Sequence, residues 1–255
     1  MVRSIILVAA VMALVAMQIA GAAYTITHIT TQVALNTNNT GTVRDSFTVY
    51  LTNDSVAQYQ TDRSALNFTL TNWQSIVGPN LVQHIINPRS GVYNFRLFPG
   101  PLVTTITGQQ AAVIVLSYNV NNVTTVKEIA PRIFSYSFNN NVFNFVHQYS
   151  GQVLGQNTTL TVTLPHGSKL LNVYPVPDAP SNLVASNFTN VTSMTWIAQE
   201  PLSKFSLTFT THQSIQGEVL AFFTAAYTFL GFFTYIIIIV LVLGFILYTY
   251  LKVEK

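Results

Sequence analysis

Apolar and polar residues alternate one for one over several short stretches of the chain. Phe47, Val49 and Leu51 alternate with Thr48 and Tyr50, Leu160, Val162 and Leu164 with Thr161 and Thr163, and Phe205, Leu207 and Phe209 with Ser206 and Thr208. A period of two puts every second side chain on one face of an extended backbone, so each stretch predicts a strand with one face in a core. Ala111-Ala112-Val113-Ile114-Val115-Leu116 is instead an unbroken apolar run, which predicts a central strand covered on both faces. Further strands are expected over Tyr24–Leu35, Val92–Phe98, Arg132–Phe138, Val142–Val146 and Leu170–Tyr174, and no long amphipathic helix is evident. Asn36-Thr37-Asn38-Asn39-Thr40-Gly41 reads as a hairpin tip, and Leu164-Pro165-His166-Gly167-Ser168-Lys169 as a tight turn between strands.

Short strands punctuated by Gly, Pro and Asn predict an all-β ectodomain of antiparallel β-sandwich type. A break near Glu128–Pro131 leaves two arrangements open: one body, or two sandwich modules over 24–128 and 129–217. The run Pro175-Val176-Pro177-Asp178-Ala179-Pro180 is a stiff connection that no central strand could tolerate.

The two ends follow a different pattern. After Arg3, an apolar run from Ile5 to Met17 leads to the small residues Gly21-Ala22-Ala23, which predicts a signal peptide over 1–23 with cleavage after Ala23. The alternative is an uncleaved anchor, since about 20 uncharged residues suffice to span a bilayer. Either choice places the body outside the cytoplasm. From Val219 to Leu251 the chain carries no charge, and Lys252 closes the run. A membrane-proximal and transmembrane helix is expected over 218–251, with the span near Gly231–Leu251 and a short cytoplasmic tail over 252–255. The residues Val219–Leu230 exceed what the hydrocarbon needs; they are expected to continue through the interface or to pack on a partner. The reading is a single-pass protein of the cell membrane, in contact with membrane lipid.

Charged residues make up only 7% of the chain, and between Tyr24 and Glu218 eight Lys and Arg face seven Asp and Glu. A body so balanced has no basic stripe for phosphates, so no nucleic-acid partner is expected. With no cysteine there is no disulfide framework. Seven N-x-[S/T] sequons occur, at Asn38, Asn53, Asn67, Asn122, Asn157, Asn187 and Asn190, all within the exported body, and predict N-linked glycans on surface loops.

Signatures of catalysis are missing. There is no G-x-S-x-G elbow and no H-E-x-x-H helix. His28, His84, His147, His166 and His212 lack ligand spacing and read as surface or strand residues. Asp45 and Asp62, next to Arg44 and Arg63, read as solvated or paired strand ends. No catalytic, cofactor-binding or metal site is expected, and the protein is not expected to be an enzyme.

The order Glu128-Ile129-Ala130-Pro131-Arg132, then Thr159-Leu160-Thr161-Val162-Thr163-Leu164-Pro165-His166-Gly167-Ser168-Lys169, then an aromatic-rich segment after Glu218-Val219-Leu220 resembles the lumenal second half and membrane anchor of the ribophorin I family, non-catalytic subunits of oligosaccharyltransferase. The resemblance covers about half the chain. It implies two stacked β-modules beside a membrane enzyme, with no catalytic residues to carry over, although nothing after Lys255 corresponds to a cytoplasmic domain. The combined expectation is a non-catalytic scaffold or accessory subunit that contacts other membrane or cell-surface proteins. The alternative is a structural or adhesive glycoprotein of the cell envelope.

Overall fold

The computed structural model describes residues 24–65, 67–148, 151–180, 191–197, 200–213, 215–231 and 233–253. The expected signal peptide, the sequons at Asn187 and Asn190, and the last two residues lie outside them. The chain divides into two compact units: Met1–Lys127 with Ser135–Thr211, and Glu128–Phe134 with His212–Lys255.

The body is rich in β-structure, with several antiparallel sheets, as the alternation predicts. Strand β1 (Tyr24–Leu35) turns at Asn36–Thr40 into β2 (Gly41–Leu51). Two short helices follow, α1 (Val56–Ser64) and α2 (Leu70–Val77). Then come β3 (Tyr93–Pro99), β4 (Val103–Thr104), β5 (Gln110–Val120), β6 (Thr124–Ala130) and β7 (Ile133–Phe138). The series ends with β8 (Val146–Gln148), β9 (Gly151–Val153), β10 (Thr158–Thr163), β11 (Lys169–Tyr174), β12 (Ser193–Ile197) and β13 (Ser206–His212).

One seven-stranded sheet runs β12-β10-β1-β2-β5-β3, with β4 also on β5; a second of four strands runs β11-β13-β7-β6; β8 and β9 form a separate pair. In the large sheet β1 pairs with β10 in parallel, Val33 opposite Val162. Strands from both sides of the boundary expected at Glu128–Ile129 therefore stand in one sheet. A pairing between residues more than a hundred positions apart leaves no mark in local patterning, so a boundary read from punctuation cannot register it.

Several expectations are corrected in detail. The Ala111–Leu116 run is central in the sheet, but Val113 is 41% exposed, so that strand is not covered evenly on both faces. Of Val142–Val146 only Val146 belongs to a strand, β8: Val142 ends a 3-10 turn over Asn140–Val142, Phe143 forms an isolated antiparallel bridge with Ile85, and Phe143 and Phe145 are buried. Helix α2 starts from a capping box, Thr69 accepting from the Asn72 N–H while the Asn72 side chain accepts from the Thr69 N–H. It buries Trp73 against Tyr59 of α1, ring centroids 5.4 Å apart. The Pro175–Pro180 segment borders the sheet: Thr195 of β12 exchanges backbone hydrogen bonds with Ala179, and Trp196 Nε1 donates to the Pro175 carbonyl at 2.9 Å. Proline is tolerable there because an edge needs few further donors.

A run of aromatic rings fills the core. Trp196 meets Phe205 at 5.1 Å, Phe205 meets Phe143 at 5.1 Å, Phe143 meets Phe145 at 5.7 Å, Phe145 meets His84 at 4.8 Å, and His84 meets Phe47 at 5.6 Å. With no disulfide available, burial of such rings carries the stability of this unit.

The second unit holds the C-terminal helices α3 (Ile215–Leu230) and α4 (Phe233–Val253). They are separated at Gly231, which sits at φ +56° and donates its N–H to the Tyr227 carbonyl at 2.7 Å. This is a left-handed C-terminal cap, a conformation glycine adopts without steric cost. Among the described residues no helix is long and apolar enough to cross a membrane; the side chains described in α4 end at Phe245, whereas the helix as a whole has 21 residues.

Replacing Phe205 by Ala should destabilise the β-unit by about 3–5 kcal/mol, as expected for a large ring removed from a full core. Phe95→Ala, at a half-open edge position, should cost well under that. Denaturant titration of the two variants followed by tryptophan fluorescence checks the contrast; equal losses would mean the ring series is not the core.

Candidate functional site

The alternation in β2 extends inward past Phe47 to Asp45 and Val43, and all five alternate residues from Val43 to Leu51 are buried. Asp45 is therefore not the solvated or paired strand end that its neighbour Arg44 suggested. Strand parity sends its carboxylate into the core, where its exposure is 0%, and Arg44 outward. The charge is held by hydrogen bonds from four donors. Oδ1 accepts from Thr31 Oγ1 at 2.6 Å and from His84 Nδ1 at 3.2 Å; Oδ2 accepts from Tyr118 Oη at 2.6 Å and from the His84 backbone N–H at 3.1 Å. A carboxylate offers about four lone-pair sites, and all are used. Hydrogen bonds to a charged group contribute roughly 1.5–3 kcal/mol each, enough together to offset the desolvation of one carboxylate.

The four donors come from three parts of the fold. Thr31 stands directly opposite Asp45 across the β1–β2 pair, Tyr118 comes from β5, and His84 from the segment between α2 and β3. Tyr118 Oη also accepts the Ile85 N–H at 3.2 Å. Burial raises the Tyr118 phenol well above its usual range, and the Asp45 charge beside it, through space and through their hydrogen bond, adds to the shift.

His84 is likewise no surface residue. Its ring lies stacked between Phe47 and Phe145, at interplanar angles of 27° and 20°. Because a carboxylate only accepts, Nδ1 carries the hydrogen that Asp45 receives, and in the neutral ring Nε2 then keeps its lone pair. His84 lines a cavity of about 440 Å³. The other four histidines are exposed. Asp62 also departs from expectation: it lies buried in α1, with Oδ1 accepting from Gln58 Nε2 at 2.8 Å, rather than at a strand end.

The five described sequons sit at turns and element ends. Asn38 is at the β1–β2 tip, where its Oδ1 accepts from Thr40 Oγ1 at 2.7 Å. Asn53 begins a 3-10 turn, Asn67 lies between α1 and α2, and Asn122 and Asn157 occupy left-handed positions at φ +55° and +57° beside strands. All five are exposed, Asn67 and Asn157 included despite their adjacency to ordered elements. Among the described residues no three His, Cys, Asp or Glu side chains gather as metal ligands.

The Asp45 cluster was missed in the sequence because single residues from four segments build it. The one local signal was parity: Asp45 stands two positions before Phe47 on the core face. No known protein family and no curated protein matches this chain.

Two outcomes follow from the buried network. Asp45→Asn leaves an amide N–H₂ facing donors, and should lower stability by roughly 2–4 kcal/mol in a denaturant titration. Above pH 10 an unfolded tyrosine loses its proton while Tyr118 retains its own, so the native state binds more protons and stability must fall as pH rises. Tyr59, pushed up to about 12 chiefly by burial, adds to the same slope. Absorbance at 295 nm against pH should show tyrosines that ionise above the normal range; full ionisation near pH 10 with the fold intact would contradict the burial.

Proposed function

We propose that this chain is a single-pass, membrane-anchored exoplasmic glycoprotein, a β-sandwich body that acts as a non-catalytic scaffold or accessory subunit of a membrane complex. The observation that carries the reading is the surface of the C-terminal helices. Leu220, Phe222, Phe229, Phe233, Leu241 and Phe245 are each at least 66% exposed, so apolar side chains project without a core to receive them. A helix apolar all round belongs in a protein interior or a bilayer. The 21 residues of α4 would extend about 31 Å, matching a hydrocarbon core of about 30 Å.

The polar atoms on α3 suit the same surroundings. Thr224 Oγ1 donates to the Leu220 carbonyl at 2.8 Å and Thr228 Oγ1 to the Thr224 carbonyl at 2.9 Å, so neither hydroxyl requires water. The exposed asparagines of the β-unit fit glycan attachment on the exported side. The resemblance to ribophorin I-type subunits adds an oligosaccharyltransferase-like setting to this reading. A second reading, an adhesive or structural envelope glycoprotein, draws on Phe98, Val103, Ile106 and Val113, apolar side chains exposed around β3 to β5.

Ile238→Arg should impair membrane retention, since a charge at the bilayer centre costs about 2.5–3.5 kcal/mol on insertion scales. Carbonate extraction of membranes measures this, and unchanged retention would sink the anchor. Affinity purification in mild detergent through a C-terminal tag separates the roles. Stoichiometric recovery with glycosyltransferase or translocation subunits supports the accessory role, whereas recovery with abundant surface proteins supports the envelope role.

A further inference from the structure

The cavity beside His84 is built as a binding site. Its floor is His84, Phe145 and Thr158, all buried; its walls are the half-buried Ile26, Ile29 and Val82; its rim includes the exposed amides of Asn80, Asn144 and Gln156. At about 440 Å³ it falls in the range of small-molecule pockets. No described group bonds His84 Nε2, and that atom is not among the buried polar atoms sealed from solvent without a partner. His84 thus lines the cavity with no described partner on Nε2, beside the Thr158 hydroxyl and the apolar side chains of Phe145, Ile26, Ile29 and Val82.

We propose that this cavity binds a small neutral molecule with an apolar body and a hydroxyl group, and that the hydroxyl donates its hydrogen to His84 Nε2. Three features of the fold favour this chemistry. Asp45 fixes the tautomer, so that in the neutral ring Nε2 presents a lone pair, which selects a donor. Phe47 and Phe145 both stack on the ring, and Asp45 holds its Nδ1, so its acceptor direction is set before a ligand arrives and little ordering cost remains. Ile26, Ile29 and Val82 receive an apolar body but offer no charge to an ionic one. The site lies wholly within the β-unit and does not depend on the anchor reading.

The test uses the full chain kept in solution with mild detergent, labelled with ¹⁵N-histidine, with phenol, benzyl alcohol and cyclohexanol as probes and toluene as the hydrocarbon control. The His84 resonances are assigned by their loss in His84→Phe. The three alcohols should shift the Nε2 signal saturably, and toluene, which cannot donate, should bind at least tenfold more weakly. Val82→Trp, which fills the cavity from its wall and leaves the Asp45 bonds in place, should abolish the response while the Nδ1–H signal persists. The proposal is overturned if the alcohols leave Nε2 unshifted, if toluene binds as well as they do, or if Val82→Trp responds like the unaltered protein.

Discussion

The body of this protein is organised around one buried charge. A carboxylate taken from water into a sheet interior is tolerable only if every lone pair is met, and Asp45 meets that condition by drawing donors from β1, from β5 and from both the side chain and the backbone of His84. None of these groups can move away without leaving a charge unpaired. The network therefore fixes the irregular segment around residues 83–86 on the sheet, which apolar contact alone, being non-directional, would leave free to slide.

That fixed segment in turn positions its neighbour. The His84 carbonyl accepts from the Asn144 N–H at 2.8 Å, the Ile86 N–H donates to the Val142 carbonyl at 2.7 Å, and Asn144 Nδ2 donates to the Gln83 carbonyl at 2.9 Å. Residues 142–145, which carry Phe143 and Phe145 into the core, are held to the large sheet through these bonds. Polar specificity and aromatic packing thus depend on one another: the rings exclude water from the carboxylate, and the carboxylate sets where the rings stand. In a chain without cysteine this coupling takes the place of a covalent cross-link.

The C-terminal unit follows the opposite rule. Among the described residues its helices expose apolar side chains, Thr224 and Thr228 satisfy their hydroxyls on the backbone of their own helix, and a glycine in a left-handed conformation divides the helices. The expected extension Val219–Leu230 corresponds to α3, closed by its own cap, and is thus a distinct helix from the one that follows.

What the sequence determined by itself was what repeats locally. Period-two alternation located β2, β10 and β13, the apolar run located β5, Asn-rich and Pro-x-Gly segments located the turns, and the uncharged stretch located the terminal helices, because each of these preferences is set within a few residues. Tertiary structure alone decided the rest. The parallel pairing of β1 with β10 joins segments far apart in the chain and put both sides of the expected boundary into one sheet. The burial of Asp45 and His84, read locally as solvent-facing, depended on donors from Thr31, Tyr118 and a loop backbone that no spacing rule connects. A lone Asp or His in a polar sequence looks solvated until the fold brings its partners, since the free energy of burying it is decided by groups that chain proximity does not supply.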